Sequence, residues 1–349
     1  MTPVRIIVCG FGNVGRAFVQ LIAGKQQDLQ KRYGLCPRIQ AVVDIGGAAV
    51  AAADGLPPDR LAETAEGKTP IESMADFGRP GVGAVDVLGT IAADVWVETT
   101  PTNLVDGEPA RTHLAGALAR GLEVITANKG PLVLDYRDLL ERARSAGRGI
   151  AMSAAAAAAL PTLDVGRICT AGARIEAIEG ILNGTTNYIL TRMGREGCDY
   201  ATALKAAQEL GIAETDPTLD VAGFDTRNKI VLIANQLLDA GLSLDDVETE
   251  GITGVDREAI ARAQAAGRVL KLIGSARRKE DRLQVRVAPE ALEPAHPLAG
   301  VDFSEKGISF DTDTMGRITV TGGRSSPTGA AAALLKDLIH IYVLPGGRT

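Results

Sequence analysis

The stretch VRIIVCGFGNVGRAFVQLIAG (residues 4–24) predicts a buried strand, a glycine turn and an amphipathic helix in direct succession. Its G-x-G-x-x-G pattern is typical of dinucleotide-binding βαβ units. There Gly10 permits the tight turn, Gly12 lets the backbone approach a pyrophosphate at the helix N-terminus, and Gly15 permits close helix–strand packing. We therefore expect a dinucleotide to contact this turn, with a plain tight turn as the alternative. The turn comprises Gly10, Phe11, Gly12, Asn13, Val14 and Gly15.

Strands and helices alternate along the rest of the N-terminal part, which predicts a Rossmann-type, doubly wound parallel sheet in an α/β fold. Further strands are predicted at IQAVVD (39–44), ADVWVETT (93–100) and LEVITANKG (122–130), and a helix at 107–121. We place the end of this first domain near residue 134.

The pattern changes in the middle of the chain. Helical stretches are followed, beyond residue 267, by short strand-like pieces separated by turns. This order predicts a mixed α+β domain at 135–321, with helices on one face of a sheet. The last helical stretch opens with Ser and Pro, and we expect it to return to the first domain, which residues 322–349 would complete.

Composition excludes several classes of protein. The length of 349 residues suggests two domains, and 46% hydrophobic with 23% charged residues is typical of a globular chain. The net charge of −6 argues against a nucleic-acid partner. We recognise neither a transmembrane run nor a secretory signal, and therefore expect a cytoplasmic protein without a membrane partner. The four cysteines are scattered and lack metal-ligand spacing, so we predict no metal site.

Polar residues follow the predicted strands at the edge where open α/β sheets bind ligands. Asp44 ends the second strand, where an acid accepts hydrogen bonds from an adenine ribose and favours NAD over NADP. A capping or turn acid is the alternative, so the cofactor remains NAD or NADP. Thr99 and Thr100 in ETTPTN, and Lys129 in VITANKGPLV, are candidates to line a nicotinamide or a polar substrate. For Lys129 a solvated loop lysine is the alternative.

Many charges precede an apolar helix at ETDPTLDVAGFDTRNK (214–229). Asp225 and Lys229 are four residues apart and share one helix face. Because the following residues are apolar nearly all round, we expect Lys229 to be buried with Asp225 as its partner, and able to exchange a proton. Glu214 and Asp220, in the broken segment before the helix, are suited to hold an ammonium group. An acidic loop that caps the helix is the alternative.

Together with GILNGTTNYIL (180–190), these segments resemble those of homoserine dehydrogenases and run in the order of that family. The resemblance implies the interconversion of L-homoserine and L-aspartate 4-semialdehyde with NAD or NADP. Reduction of the semialdehyde serves threonine and methionine synthesis. It also implies a homodimer that forms through the sheet of the second domain, which would be the catalytic and dimerisation domain.

The resemblance assigns roles residue by residue. Lys229 matches the lysine that transfers the proton, and Asp225 the acid that orients it. Lys129 matches a second active-site lysine near the substrate and the nicotinamide. Glu214 matches the glutamate that binds the substrate, through its α-ammonium group, and Asp220 supports that network. Two further positions, Gly184 and Thr185, match residues that line the substrate pocket.

The chain departs from the family pattern at two segments. SAAAAAALP (153–161) has Ser153 where the family has a glutamate beside backbone carbonyls that hold a monovalent cation, so a carboxylate is lost and we predict no metal there. GGRSSPTG (322–329) replaces a glycine-rich turn before the last helix. We expect no C-terminal regulatory domain and therefore no threonine feedback through such a domain.

Two other functions remain open. The departures around Ser153 and Arg324 are compatible with a dehydrogenase of the same fold that acts on another small amino or hydroxy acid. The second is a non-catalytic dinucleotide-binding protein. The presence of Lys129, Asp225 and Lys229 together argues against this second function.

Overall fold

The computed structural model describes residues 2–51, 54–280, 282–323 and 325–343. The chain forms two compact units. The first consists of Met1–Ala158 and Ser326–Thr349, and the second of Ala159–Ser325. Arg324 and the last six residues of the segment 322–349 lie outside the described residues.

The first unit alternates strands and helices as the sequence predicts. Its elements before residue 159 are β1 (Thr2–Cys9), α1 (Asn13–Gly24), α2 (Gln26–Tyr33), β2 (Leu35–Asp44), β3 (Gly47–Val50), α3 (Pro58–Glu66), β4 (Gly78–Pro80), α4 (Ala84–Thr90), β5 (Val95–Glu98), α5 (Ala110–Ala119), β6 (Glu123–Thr126), α6 (Gly130–Leu134), α7 (Tyr136–Ala146), β7 (Ile150–Ala151) and α8 (Ser153–Ala157). A short 3₁₀ helix occupies Ile71–Ser73.

The sheet of the first unit has the strand order β4-β3-β2-β1-β5-β6-β7. The five strands from β2 to β7 are parallel, which confirms the doubly wound core. The sequence did not predict β3 and β4, which are antiparallel. They arise because Asp44 pairs with Gly47 across a two-residue turn, so that the chain folds back beside β2 before it crosses the sheet.

The second unit carries a separate sheet. Its elements are α9 (Thr162–Asp164), β8 (Ile175–Ile181), α10 (Gly184–Glu196), α11 (Tyr200–Glu209), α12 (Thr218–Val221), α13 (Phe224–Leu238), β9 (Glu248–Thr249), α14 (Arg257–Ala265), β10 (Val269–Lys279), β11 (Arg282–Leu292), β12 (Lys306–Thr312) and β13 (Gly316–Gly322). The strand order is β13-β12-β8-β10-β11-β9, and β9–β11 is the only parallel pair among the described strands of this second sheet. α10, α13 and α14 all pack against β10.

The last helix of the chain, α15 (Pro327–Val343), belongs to the first unit and packs against α1. α1 buries Gly15, Phe18, Val19 and Ile22, which recur at the spacing of one helix face. α15 contributes Leu334 and Leu338 to the same apolar core, so residues distant in sequence complete the first unit.

The first unit extends beyond the boundary predicted near residue 134. α7 follows that point, and Ile150 and Ala151 of β7 pair with Val124 and Ile125 as the last parallel strand of the first sheet. The strand is only two residues long, too short for its alternation to appear in the sequence. Among the described residues, no helix has the length and apolarity needed to cross a bilayer.

Candidate functional site

The glycine turn has little space at its first and last glycines, which lie close to other backbone atoms, and free space at the middle glycine. Gly10 has φ +94°, and a Cβ on it would lie 2.6 Å from the backbone carbon of Thr99. A Cβ on Gly15 would lie 2.1 Å from the carbonyl oxygen of Gly10. In contrast, apart from Gly12 and its neighbours along the chain, no atom of the described residues lies within 4 Å of the place that a Cβ on Gly12 would take. The free space therefore lies where a pyrophosphate has to approach.

The N-terminus of α1 is suited to an anion. Asn13 and Val14 open this helix after Gly12, and no described side chain caps their backbone N–H groups. Phe11 is buried, and the guanidinium of Arg16 lies 4.1 Å from the centre of its ring. The residues of the turn thus fit a dinucleotide phosphate bound by backbone groups.

Asp44 ends β2 as expected and is half-buried there. Arg16 lies near it: burial lowers the pKa of the Arg16 guanidinium, and the negative charge of Asp44 opposes that shift. Arg16 is itself held, because it donates to the carbonyl oxygens of Thr64 and Thr69 at 3.0 and 2.8 Å. The role of Asp44 at a ribose stays a prediction.

The glycine turn fixes Thr99, and the buried carboxylate of Glu98, which the sequence did not predict as a site residue, fixes Thr100. The Thr99 hydroxyl lies 2.8 Å from the carbonyl oxygen of Gly10 and bonds it. Glu98, the last residue of β5, accepts hydrogen bonds from the backbone N–H (3.1 Å) and the hydroxyl of Thr100. Its position at the end of a strand in ETTPTN is the signal that could have identified it.

Lys129 lies half-buried as the N-cap residue of α6. Its neighbour Asn128 is buried and holds the turn together. The Asn128 amide donates to the carbonyl oxygens of Thr100 and Pro101 at 3.1 and 3.0 Å, and its own oxygen accepts from the N–H of Gly130 at 2.9 Å. The loops after β5 and β6 are therefore one hydrogen-bonded structure, which carries both Thr100 and Lys129.

A second cluster lies in the second unit, around Lys229. The Lys229 ammonium group donates to Oδ2 of Asp225 at 2.5 Å and to the carbonyl oxygen of Leu182 at 2.9 Å. Both side chains are largely buried, at 12% and 14% exposure. α13 therefore places them as the i, i+4 spacing predicts.

Asn183, which the sequence analysis quoted but did not single out, bridges two acids. Its amide nitrogen donates to Asp220 Oδ1 at 2.6 Å and to Asp225 Oδ2 at 2.9 Å. Its oxygen caps α10 through the N–H of Thr186 at 2.9 Å. Burial, and then the charge of Asp225, raise the pKa of Asp220 above its ordinary value. Lys229, Asp225 and Asp220 thus form one network.

The other predicted substrate residues differ in their surroundings. Thr185 is buried close to Asp220 and donates to the carbonyl oxygen of Ile212 at 3.0 Å. Gly184 opens α10, and a Cβ on it would lie 2.9 Å from the carbonyl oxygen of Ser304. Glu214 is exposed, and its backbone oxygen accepts from the side chain of Gln208 at 3.1 Å. The substrate contacts of all three stay predictions.

Ser153 has a carboxylate beside it that its own segment of sequence does not contain. The sequence suggested that a carboxylate is lost there, but α15 supplies one from the far end of the chain. Asp337 accepts hydrogen bonds from the N–H and the hydroxyl of Ser153 at 3.0 and 2.7 Å, and the hydroxyl also accepts from Lys336 at 2.8 Å. Asp337 is 184 residues away in sequence, so no local pattern could reveal it.

Comparison with known proteins agrees with this geometry. The family model described as homoserine dehydrogenase, NAD binding domain, matches residues 10–153. The model described as homoserine dehydrogenase matches residues 161–339.

Similar proteins share most of their length with this chain. A homoserine dehydrogenase of Methanocaldococcus jannaschii is 39% identical over 97% of this chain and 98% of its own. An NAD(+)-dependent homoserine dehydrogenase of Pseudomonas canavaninivorans is 38% identical over 98% and 97%. The crystal structure of a putative homoserine dehydrogenase from Archaeoglobus fulgidus has a TM-score of 0.85 at 32% identity, covering 97% of this chain and 99% of its own. The chain therefore belongs to the homoserine dehydrogenase family.

Proposed function

We propose that the protein interconverts L-homoserine and L-aspartate 4-semialdehyde with NAD or NADP. The observation that carries this proposal is the largely buried Lys229–Asp225 pair on α13, in a chain of this family. When bound, the nicotinamide carries the hydride to or from the substrate carbon. The protein has to bind the substrate and move one proton at its terminal oxygen.

Lys229 is the proposed proton carrier. Among the described contacts, two of its three ammonium protons are donated to Asp225 and Leu182, so the third N–H is available to a substrate oxygen. A protonated lysine beside a carboxylate is ready to protonate the oxygen of the semialdehyde as it is reduced. In the oxidation of homoserine, the neutral amine takes the hydroxyl proton.

The acids of the same network suit the amino group of the substrate. Asp220 and Asp225 carry two negative charges when ionised, against one positive charge on Lys229, and a substrate ammonium would balance the excess. We assign Glu214 to the same ammonium group, with Gly184 and Thr185 as lining residues. Lys129 is proposed to contact the substrate and the nicotinamide.

The glycine turn is proposed to hold the pyrophosphate, and Asp44 to accept from the adenine ribose. The open space at Gly12 and the uncapped N-terminus of α1 support the first assignment. Asp44, as a carboxylate at the end of β2, supports NAD in preference to NADP, since it would repel a 2′-phosphate. Measuring kcat/KM with each dinucleotide tests this preference.

The decisive experiment follows the absorbance of reduced nicotinamide after L-homoserine is mixed with the purified protein and NAD or NADP. We expect turnover, and a loss of about 10²- to 10⁴-fold in kcat for Lys229→Ala. Lys205→Ala is the matched control, because Lys205 is 78% exposed on α11. Unchanged activity of Lys229→Ala refutes the assignment of Lys229. Turnover of another small hydroxy or amino acid alone refutes the substrate, and dinucleotide binding without any turnover indicates a non-catalytic protein.

We also propose a homodimer that forms through the sheet of the second unit, and a cytoplasmic location. Ser275 and Ser309 both pair with Glu179, and Thr319 pairs with Ser309, so three small side chains and one carboxylate share a row across this sheet, and we propose that a second copy packs against this row. Cys9, Cys36, Cys169 and Cys198, all among the described residues, form no disulfide bond with one another, which supports a reducing compartment. Fractionation of the native cells tests the location.

A further inference from the structure

Glu98 is a fully buried carboxylate with both oxygens bonded. Its exposed fraction is 0%, at the end of a central parallel strand. One oxygen accepts from the N–H (3.1 Å) and hydroxyl of Thr100, and the other from Trp96 Nε1 at 3.0 Å, with His113 Nδ1 at 3.1 Å. An ionised group is costly to bury unless several donors surround it, so the fold has assembled donors around this position.

Other buried side chains cover the side of Glu98 that faces away from the loop after β5. His113 of α5 is buried, and its ring centre lies 5.7 Å from that of Trp96. Its Nδ1 also lies 3.5 Å from the sulfur of Cys9. Burial strongly raises the pKa of the Cys9 thiol, which therefore stays protonated, and this leaves the Glu98 carboxylate as the acceptor for an Nδ1 proton. Trp96 and His113 thus already occupy the Glu98 oxygen that could otherwise bind a cation.

The side towards the loop continues into the proposed nicotinamide region. The Thr100 hydroxyl, which Glu98 holds, also accepts from the Asn128 amide at 3.2 Å. Asn128 in turn holds the N–H of Gly130, the residue after Lys129. A continuous path of hydrogen bonds therefore runs from His113 through Glu98, Thr100 and Asn128 to the Lys129 turn.

We propose that Glu98, backed by His113, is a positioning residue that fixes Thr100 and the Lys129 turn for the nicotinamide half of the dinucleotide. The inference rests on the proposed function and adds to it. The adenine half depends on the glycine turn and on the end of β2 instead. Loss of Glu98 should therefore weaken binding of the whole dinucleotide while sparing a ligand that lacks nicotinamide.

Glu123 provides a matched control. It is also a buried carboxylate, at 2% exposure, on the neighbouring parallel strand β6. It lies at the start of that strand, the opposite edge of the sheet, where it accepts from the N–H of Gly149 at 2.8 Å and lies 3.5 Å from Arg148. A merely structural role for buried carboxylates of this sheet predicts similar behaviour of the two glutamates.

The experiment compares Glu98→Gln and Glu123→Gln with the wild type. Calorimetry measures the affinities for NADH and for ADP-ribose, which lacks nicotinamide, and steady-state assays with homoserine measure kcat and KM. We expect Glu98→Gln to lower the affinity for NADH about tenfold and to lower kcat by at least the same factor. The affinity for ADP-ribose should stay within about twofold of the wild type. Glu123→Gln should leave both affinities and kcat near wild type. Equal weakening of both ligands by Glu98→Gln, or no change in either, overturns the inference.

A second pair of variants keeps the test valid if Glu98→Gln fails to fold. Thr100→Val removes the hydroxyl that joins Glu98 to Asn128, and Thr100→Ser keeps it. We expect Thr100→Val to show the same selective loss of NADH affinity and Thr100→Ser to restore it. Equal behaviour of the two variants contradicts the proposed path. If these variants lose NADH affinity selectively while the wild type does not turn over homoserine, only the proposed substrate is refuted, since the binding measurement needs no homoserine.

Discussion

At the scale of single residues, Asn183 connects two acids of the Lys229 network and also caps α10. We predict that Asn183→Ala lowers kcat/KM for homoserine about 10- to 100-fold, because both carboxylates lose the donor that sets their positions. The cap itself is worth about 1 kcal/mol of unfolding free energy.

Asp199→Ala is the control that isolates the cap. Asp199 accepts from the N–H of Thr202 at 2.8 Å at the start of α11, outside the Lys229 network. The Asp199→Ala variant should lose a similar amount of unfolding free energy in thermal unfolding and keep the wild-type kcat/KM for homoserine. If both variants keep full activity, Asn183 is only a helix cap.

Asp220 gives the protein a stability that depends on pH. Burial and the charge of Asp225 raise its folded-state pKa above its unfolded value, so the folded state holds the proton more tightly. Protonated Asp220 therefore contributes stability to the fold. This contribution is fully present below the unfolded pKa of about 3.9 and is lost as the pH rises through the folded pKa. We predict that Asp220→Asn raises the melting temperature at pH 7, with a gain that shrinks towards pH 4.

Asp216 is the control with the opposite sign. Hydrogen bonds from Thr218 lower its pKa, so its contribution is present above the unfolded value and is lost on acidification. Asp216→Asn should therefore lower, not raise, the melting temperature at pH 7. Melting temperatures of both variants across pH 4–7 decide the matter, and a shift of the same sign in both contradicts the argument.

At the scale of elements, the turn between β1 and α1 contains glycines with different roles. Gly12 is proposed to serve binding and Gly15 serves folding. We predict that Gly12→Ala keeps the melting temperature but weakens dinucleotide binding at least about tenfold, because its methyl group enters the open space proposed for the pyrophosphate. Gly15→Ala should instead cost several kcal/mol of stability, because its methyl group meets the Gly10 oxygen at 2.1 Å. Thermal unfolding and calorimetry with NADH check both, and unimpaired NADH binding by Gly12→Ala contradicts the first.

The elements themselves were largely predictable, since they depend on spacing over a few residues. Strands at 39–44, 93–100 and 122–130 correspond to β2, β5 and β6, and Asp225 and Lys229 pair on α13 as their i, i+4 spacing requires. The hairpin strand β3 was missed because it follows β2 after a two-residue turn without the Asn-Gly or Asp-Gly signal. Asn183 was missed because its acceptors lie 37 and 42 residues away.

At the scale of the whole molecule, the proposed dimer makes a prediction about mass. Ser275 lies half-buried beside Glu179 in the row of the second sheet that also contains Ser309 and Thr319. We expect Ser275→Arg to shift the protein from dimer to monomer in light scattering coupled to size-exclusion chromatography, because a bulky side chain on each copy would occupy the proposed interface. Thr202→Arg, on the exposed side of α11, should keep the dimer mass. A monomeric wild type contradicts the proposal directly.

The family, the parallel core of the first unit and the Lys229–Asp225 pair could all be predicted from local sequence, because they rest on glycine spacing, local periodicity and a helical repeat. Only the tertiary structure decided which buried groups meet. It joined Glu98 to His113, Asn183 to Asp220 and Ser153 to Asp337, across 15, 37 and 184 residues. The physical reason is that a buried charge must find donors wherever the packed fold brings them, and no periodicity along the chain records that meeting.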